Sequence, residues 1–301
     1  MAKVSILMNG YNSERYLKKA IDSVYAQTFD DWEIIFIDNC STDGTKKIVD
    51  GYSEKIKYYK TKKNLNLGSA RNFGLKYCCS DYLAFLDTDD IWVDSKLEDQ
   101  IKVMDESTVL VYSSVITIDS NGKDLRRTKV SKTPSFPSLL HRYDINMQSV
   151  MINLRLIKFK VKFDENLSYC PDYVLFMNLA AQQLQFKSID IPLVRYRIHG
   201  NSLSSKTGDI QVKEISIVLN NLQKKYPYLS EKYQELFNNS IIKSKYLIKA
   251  KFFLKEGEYF NAAIIFLSLS KINKKYLIIS VFLFLPVINI VIYKLIFSKY
   301  F

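Results

Sequence analysis

Three carboxylates stand together at Asp87-Thr88-Asp89-Asp90, directly after the apolar run Tyr82-Leu83-Ala84-Phe85-Leu86. The run carries no charge and has the length and residue types of a strand covered on both faces. The acids therefore fall at a strand's carboxyl end, where open α/β sheets hold their ligands. If the extended geometry persists past Leu86, Asp87 and Asp89 point to one side and Thr88 turns away. Two converging carboxylates repel each other unless a cation lies between them. Hard oxygen ligands of this kind suit Mg²⁺ or Mn²⁺, ions that commonly bridge to a diphosphate. The alternative is an acidic turn that caps the next helix, since Asp is a good N-cap.

The flanking elements alternate in type. Val4 to Met8 reads as a first buried strand and Trp32 to Ile37 as a second, ending at Asp38. Ser13 is placed to cap a helix running to about Ala26, with Leu17, Ala20, Ile21 and Val24 on one face. Further helices are expected over Thr45 to Tyr52 and Ser69 to Cys78, with a short strand at Ile56 to Tyr59 between them. Strand, loop and helix in alternation give a mostly parallel, doubly wound α/β sheet with helices on both faces. Beyond the acids, the spacing predicts a helix near Ser95 to Met104, a strand over Val109 to Ile118 and a tight turn at Asp119-Ser120-Asn121-Gly122. Arg126 to Pro137 is basic and hydroxylated, the composition of a mobile loop. Asp172 to Gln185 has helical spacing, and Ile189 to Ile198 reads as a strand interrupted by Pro192.

Composition narrows the classes. The chain has 301 residues and a net charge of +12. Residues 1–240 contribute only +4, whereas residues 241–301 hold ten Lys against Glu256 and Glu258. The basic character thus belongs to the tail, which argues against a nucleic-acid groove and for a negatively charged surface near the C-terminus. Cys40, Cys78, Cys79 and Cys170 show no zinc-ligand spacing, which fits a reducing compartment. The apolar run near the N-terminus is too short for a signal peptide, so the catalytic body is expected on the cytoplasmic side. No Walker-type loop and no Gly-x-Gly-x-x-Gly follows the first strand, so a dinucleotide fold is disfavoured.

Four stretches, read together, carry a resemblance. They are Val4 to Asn12, Ile37-Asp38-Asn39-Cys40-Ser41-Thr42-Asp43-Gly44-Thr45, Leu67-Gly68-Ser69-Ala70-Arg71-Asn72-Phe73-Gly74, and Asp87-Thr88-Asp89-Asp90. Pro171-Asp172-Tyr173 and Tyr196-Arg197-Ile198-His199-Gly200-Asn201-Ser202 follow in order. Over about residues 3–205 the chain resembles the inverting family 2 glycosyltransferases of the GT-A fold, of the kind used in bacterial cell-surface polysaccharide synthesis. The resemblance implies a nucleotide-sugar site of Tyr11, Asn12, Asp38, Gly68, Arg71, Asp87 and Thr88. Tyr11 would stack on the base, Asp38 would accept from it, Arg71 would meet the diphosphate and Asp87 the ribose. It also implies a divalent metal, Mn²⁺ or Mg²⁺, on Asp89 with His199 at the metal or diphosphate, and Asp172 as general base. Asp90 would shape the acceptor pocket or cap the next helix. The sequence departs from the family at Asn9-Gly10, where Pro-Thr is usual, at Cys40, where Gly or a small polar residue is usual, and at Pro171, where an acid often precedes the base.

The expected organisation is a catalytic domain over 1–208, with a nucleotide-sugar half to about 118 and an acceptor half from 119, a helical region over 209–270 and a hydrophobic tail over 271–301. The uncharged stretch Tyr276 to Tyr293 makes a helix of about 27 Å, slightly short of a hydrocarbon core of roughly 30 Å. Flanking lysines suit a segment lying in the cytoplasmic leaflet, peripheral or monotopic, at the inner membrane. The resulting expectation is hexosyl or N-acetylhexosaminyl transfer from a nucleotide-diphosphate sugar, UDP-sugar favoured, to a hydroxyl of a lipid-linked glycan. The rivals are a sugar nucleotidylyltransferase, which wants a Gly-rich, Arg-containing loop where Met8-Asn9-Gly10-Tyr11 stands, and a non-catalytic binding module of the same fold.

Overall fold

The computed structural model describes residues 2–200 and 209–283. The chain divides into two compact units, Met1–Lys206 and Thr207–Phe301.

The first unit begins β1 (Val4–Gly10), α1 (Glu14–Tyr25), β2 (Trp32–Asp38), α2 (Thr45–Val49), β3 (Ile56–Lys60), α3 (Leu67–Leu75) and β4 (Tyr82–Phe85). It continues with β5 (Ile91–Trp92), α4 (Lys96–Val103), β6 (Thr108–Ile118), β7 (Asp124–Arg127), α5 (Phe136–His141), β8 (Met151–Asn153), α6 (Pro171–Ala181) and β9 (Gln185–Arg197). These strands form one sheet in the order β3-β2-β1-β4-β8-β6-β9-β5, with β7 paired to β6. β1 to β4 pair in parallel. β8 enters antiparallel between β4 and β6, and β6 returns to parallel pairing with β9. The first half is thus parallel and the second mixed.

Residue type explains the layering. Val4, Ile6, Met8, Ile34, Ile35, Phe36, Ile37, Leu83 and Ala84 are all wholly buried, as central strands covered on both faces require. Leu17, Ala20, Ile21 and Val24 of α1 are equally buried and pack on that sheet, as their spacing predicts.

Three local expectations are corrected. Ser13 occupies the N-cap position of α1 without capping it. Its hydroxyl accepts a hydrogen bond from Thr88 Oγ1 at 2.9 Å, and Asp43 Oδ2 accepts from the Glu14 amide instead, at 3.0 Å. The segment after Arg126 is not a free loop. Arg126 and Arg127 lie in β7, the Ser131 amide donates to Asp144 Oδ2 at 2.6 Å, Ser188 Oγ donates to the Ser131 carbonyl at 2.5 Å, and Ser135 opens α5 with a capping box. α3 starts at Leu67, not Ser69, because Asn66 accepts from the Ser69 amide at 2.8 Å as its N-cap.

The second unit comprises α7 (Asp209–Lys225), α8 (Pro227–Lys232), α9 (Gln234–Lys255), α10 (Tyr259–Leu269) and α11 (Lys275–Leu283). Gly257, at φ +75°, ends α9 in the left-handed conformation that favours glycine. Ala250, Leu254, Ala262, Ala263, Phe266, Leu269 and Tyr276 form a core belonging to this unit alone. No helix among the described residues is long and apolar enough to cross a membrane. Residues 284–301 of the expected tail, and Asn201 and Ser202 of the last motif, lie outside the described residues.

Candidate active site

The carboxyl ends of β1, β2 and β4 meet along one sheet edge. Gly10 pairs with Asp38, and Leu7 pairs with Phe85. A Cβ on Gly10 would lie 2.6 Å from Ser13 Oγ and 3.0 Å from Thr88 Cγ2, so the missing side chain is what admits the acidic segment. That segment is not extended. The Asp90 amide donates to the Asp87 carbonyl at 3.2 Å and closes a tight turn. Thr88 is therefore not turned away, and Asp87, Thr88 and Asp89 all face one cavity.

Short antiparallel pairing completes the site. Ile91 and Trp92 pair with Arg195 and Val194, which brings the end of β9 beside the acidic turn. His199, 110 positions along the chain, then places Nε2 at 2.9 Å from Asp89 Oδ2. The cavity encloses about 330 Å³, and its walls include Tyr11, Asn12, Asp87, Thr88, Asp89 and His199. Tyr11 is half exposed there, with its ring open to solvent. Asn12 adopts φ +50°, an angle Asn tolerates, and its Oδ1 accepts from the Thr42 amide at 2.9 Å.

Asp87 is held on both oxygens. Gln148 Nε2 donates to Oδ2 at 2.5 Å while Gln148 Oε1 accepts from the Asp87 amide at 2.7 Å, and Arg71 Nη2 lies 3.3 Å from Oδ1. Asp89 is pushed above the ordinary carboxylate range by burial and by the charge of Asp87, with the His199 hydrogen bond opposing. A cation would relieve both.

Five predicted residues stand outside the cavity lining. Asp38 is wholly buried, and its carboxylate accepts from the Tyr58 hydroxyl and from the Ser41 amide at 2.7 Å. Burial alone would raise its pKa, but those bonds and Lys60 hold it low. Arg71 is 3% exposed, paired with Asp87 and set over the Phe163 ring. Gly68 serves packing: a Cβ there would come within 2.5 Å of the Asp164 carbonyl. Asp90 is buried, and its Oδ1 accepts from the Arg197 amide at 2.7 Å, so it ties the turn to β9 and presents no acceptor surface. Asp172 lies in the first turn of α6. Burial raises its pKa, the charge of Arg71 and nearby backbone amides oppose, and Asp87 adds to the rise. It therefore shares an electrostatic neighbourhood with the Arg71–Asp87 pair.

Ser13, Arg15, Tyr16 and Tyr196 also line the cavity. Arg15 is exposed, its guanidinium 4.9 Å from the Tyr16 ring centre. Arg15 and Tyr16 follow the first strand within one helical turn, and that proximity was the available signal.

Residues 5–165, more than half of the chain, match the family model described as glycosyl transferase family 2. The chain is 30% identical over 209 residues to WfgD of Escherichia coli, a UDP-Glc:alpha-D-GlcNAc-diphosphoundecaprenol beta-1,3-glucosyltransferase, covering 67% of this chain and 79% of that protein. Its fold is similar to S. aureus TarS residues 1–349 in complex with UDP-GlcNAc, with TM-score 0.62, 18% identity and coverage of 83% and 82%. It is also similar to the mannosyltransferase PcManGT of Pyrobaculum calidifontis in complex with GDP-Man and Mn²⁺, with TM-score 0.57, 14% identity and coverage of 81% and 73%. The expected GT-A architecture with a helical C-terminal region is the one observed. The matched segment runs from β1 through the acidic turn to the loop that packs on α3, and the chain belongs to glycosyl transferase family 2.

Proposed function

We propose that the protein is an inverting, metal-dependent transferase acting on a nucleotide-diphosphate sugar, UDP-sugar favoured, with a lipid-linked glycan hydroxyl as acceptor. The observation that carries this reading is the pairing of Asp89 with His199 beside Asp87 in one cavity at the strand tips. WfgD, named for a UDP-Glc donor and a diphosphoundecaprenol-linked acceptor, supports the substrate classes. The donor set fits a divalent cation. One carboxylate oxygen and one imidazole nitrogen suit Mn²⁺, and Asp87 supplies the negative field that favours it. Among the described residues no group of three or more His, Cys, Asp or Glu side chains is placed to hold a metal, so Asp89 and His199 would hold the ion only together with a bound nucleotide diphosphate. Bound there, such an ion would offset charge on the leaving diphosphate.

The chain's own residues supply the rest. Tyr11 offers an exposed ring for the base and Arg15 an exposed guanidinium for the phosphates. Asp172 takes the proton of the acceptor hydroxyl as that oxygen bonds to the anomeric carbon and the bond to the diphosphate breaks. A screen of UDP- and GDP-sugars for nucleotide release, with Mn²⁺ or Mg²⁺, tests the reading. Release from one donor, dependent on the ion, is expected; no release from any of them removes it.

The proposal includes a peripheral membrane contact through the second unit. On α10, Phe260 (65% exposed), Ile264 and Leu267 form an open stripe, joined by Leu277 and Ile278 on α11. The lysine-rich segment around them suits an anionic surface. Replacing Phe260, Ile264 and Leu267 together by Ser is expected to abolish co-sedimentation with phosphatidylglycerol vesicles while the protein stays folded by circular dichroism. Unchanged sedimentation would exclude this face.

A further inference from the structure

Arg197 is the last residue of β9 and one of the largest side chains wholly withdrawn from solvent, at 1% exposure. Its backbone amide donates to Asp90 Oδ1 at 2.7 Å. Its Nε donates to the Asp89 carbonyl at 2.8 Å. Its Nη1 reaches the carbonyls of Asp119 and Ser120 in the β6–β7 turn, at 3.1 and 3.4 Å. One guanidinium thus fastens the backbone of the acidic turn to two other parts of the sheet. The same group lies 4.5 Å from the centre of the Tyr16 ring, and that ring lies 5.3 Å from the His199 ring, tilted by 40°.

The β5–β9 pairing brings the two segments together but stops at Ile91 and Arg195, short of Asp89 and His199 themselves. The column Arg197, Tyr16, His199 carries the connection beyond that pairing: its lower end grips the Asp89 main chain and its upper end backs the imidazole. The arrangement is poor as a stability device. Arg197 Nη2, Asp90 Oδ2 and the Tyr16 hydroxyl are buried without hydrogen-bond partners among the described residues. A buried charge with incomplete bonding seldom adds net stability over an apolar replacement. Positional value accounts better for its presence.

We propose that Arg197 and Tyr16 are positioning residues that set the Asp89 carboxylate against the His199 imidazole at the separation a divalent cation needs. The inference rests on the metal reading of that pair. Lysine cannot replace Arg197, because one ammonium cannot reach the Asp89 carbonyl and the β6–β7 turn in the same fixed geometry. Tyr16 acts through its ring, since its hydroxyl has no partner among the described residues.

The test is equilibrium binding of UDP by calorimetry to the full chain, with and without saturating MnCl₂, together with the melting temperature. In the wild type Mn²⁺ tightens UDP binding. In Arg197→Lys and Tyr16→Leu that gain falls by about tenfold or more, the usual penalty when a ligand's support is removed. UDP binding without metal is unchanged in Arg197→Lys; in Tyr16→Leu, whose side chain lines the cavity, the gain is taken relative to that variant's own metal-free affinity, and Tyr16→Phe restores the full gain. A folded Arg197→Lys or Tyr16→Leu protein that keeps the whole metal gain overturns the proposal and leaves the metal reading intact. Loss of the gain in Tyr16→Phe overturns the role of the ring. A wild type in which Mn²⁺ does nothing to UDP binding overturns both the proposal and the reading beneath it.

Discussion

Asp172→Asn is expected to lower transfer by about a thousandfold, within the range of roughly 10²–10⁴ that a positioned base contributes. The change is isosteric, removing charge and proton affinity while keeping volume. Donor binding should survive, because Asp172 is absent from the cavity lining that holds Tyr11, Asp87 and Asp89. The signature is a fall in kcat at nearly constant donor KM and UDP affinity. The pH profile separates this from a structural effect. A base must be ionised, so the rate declines as pH falls through its pKa. Burial raises the pKa of Asp172 above the ordinary value of about 3.9. Arg71 and the amides at the start of α6 oppose that rise, while Asp87 adds to it. The Tyr143 hydroxyl, itself raised by burial and by the charge of Asp172, lies in the same environment. At saturating Mn²⁺ the acid limb of kcat/KM should therefore lie above that of an ordinary aspartate, and the residual activity of Asp172→Asn should lack that limb. Wild-type activity in that variant would remove Asp172 from the mechanism.

Long periodic elements were legible, and pairings two or three residues long were not. α1 shows its buried face in the spacing of Leu17, Ala20, Ile21 and Val24, and β1 and β2 show theirs as unbroken apolar runs. β5 is only Ile91–Trp92 and β8 only Met151–Asn153. No period exists in so short a segment, yet β5 determines where His199 arrives and β8 separates β4 from β6. The segment after Arg126 misled for a related reason. Its basic and hydroxylated composition suggested freedom, but Asp144 and Ser188, distant in sequence, hold its backbone in place.

At the site, residue type and strand-end position were informative, but partners were not. The acids at the end of β4 and the His after β9 do share a cavity. Asp38 also ends a strand, yet the Tyr58 hydroxyl on the neighbouring strand engages its carboxylate. Arg71 was read as facing a diphosphate, and its nearest carboxylate turns out to be Asp87. In both cases a protein group engages the side chain that the resemblance assigns to a ligand, and such partners are set by tertiary structure. Arg197 had a readable signal only in its position, two residues before His199 at the carboxyl end of β9.

Asp89→Asn is the second substitution expected to have a large effect, and it acts on a different quantity. It preserves shape and weakens the repulsion that Asp87 exerts on this position. It also removes the only carboxylate that directly contacts the His199 ring among the described residues. UDP binding without metal should therefore be unchanged or slightly tighter, because a negative charge near the phosphates is gone. The additional affinity conferred by Mn²⁺ should vanish. Turnover should fall about a hundredfold or more, corresponding to the several kcal/mol that offsetting leaving-group charge supplies. His199→Ala should show the same pattern more weakly, since it leaves the carboxylate in place. Asp172→Asn, by contrast, should keep the whole metal-dependent gain. Loss of metal-dependent affinity in one variant and of turnover alone in the other would locate binding of the leaving group and activation of the acceptor in separate side chains. If Asp89→Asn retains the Mn²⁺ effect on UDP binding, the ion does not sit on Asp89, and the Asp89–His199 contact is then a hydrogen bond that joins the acidic turn to the segment after β9.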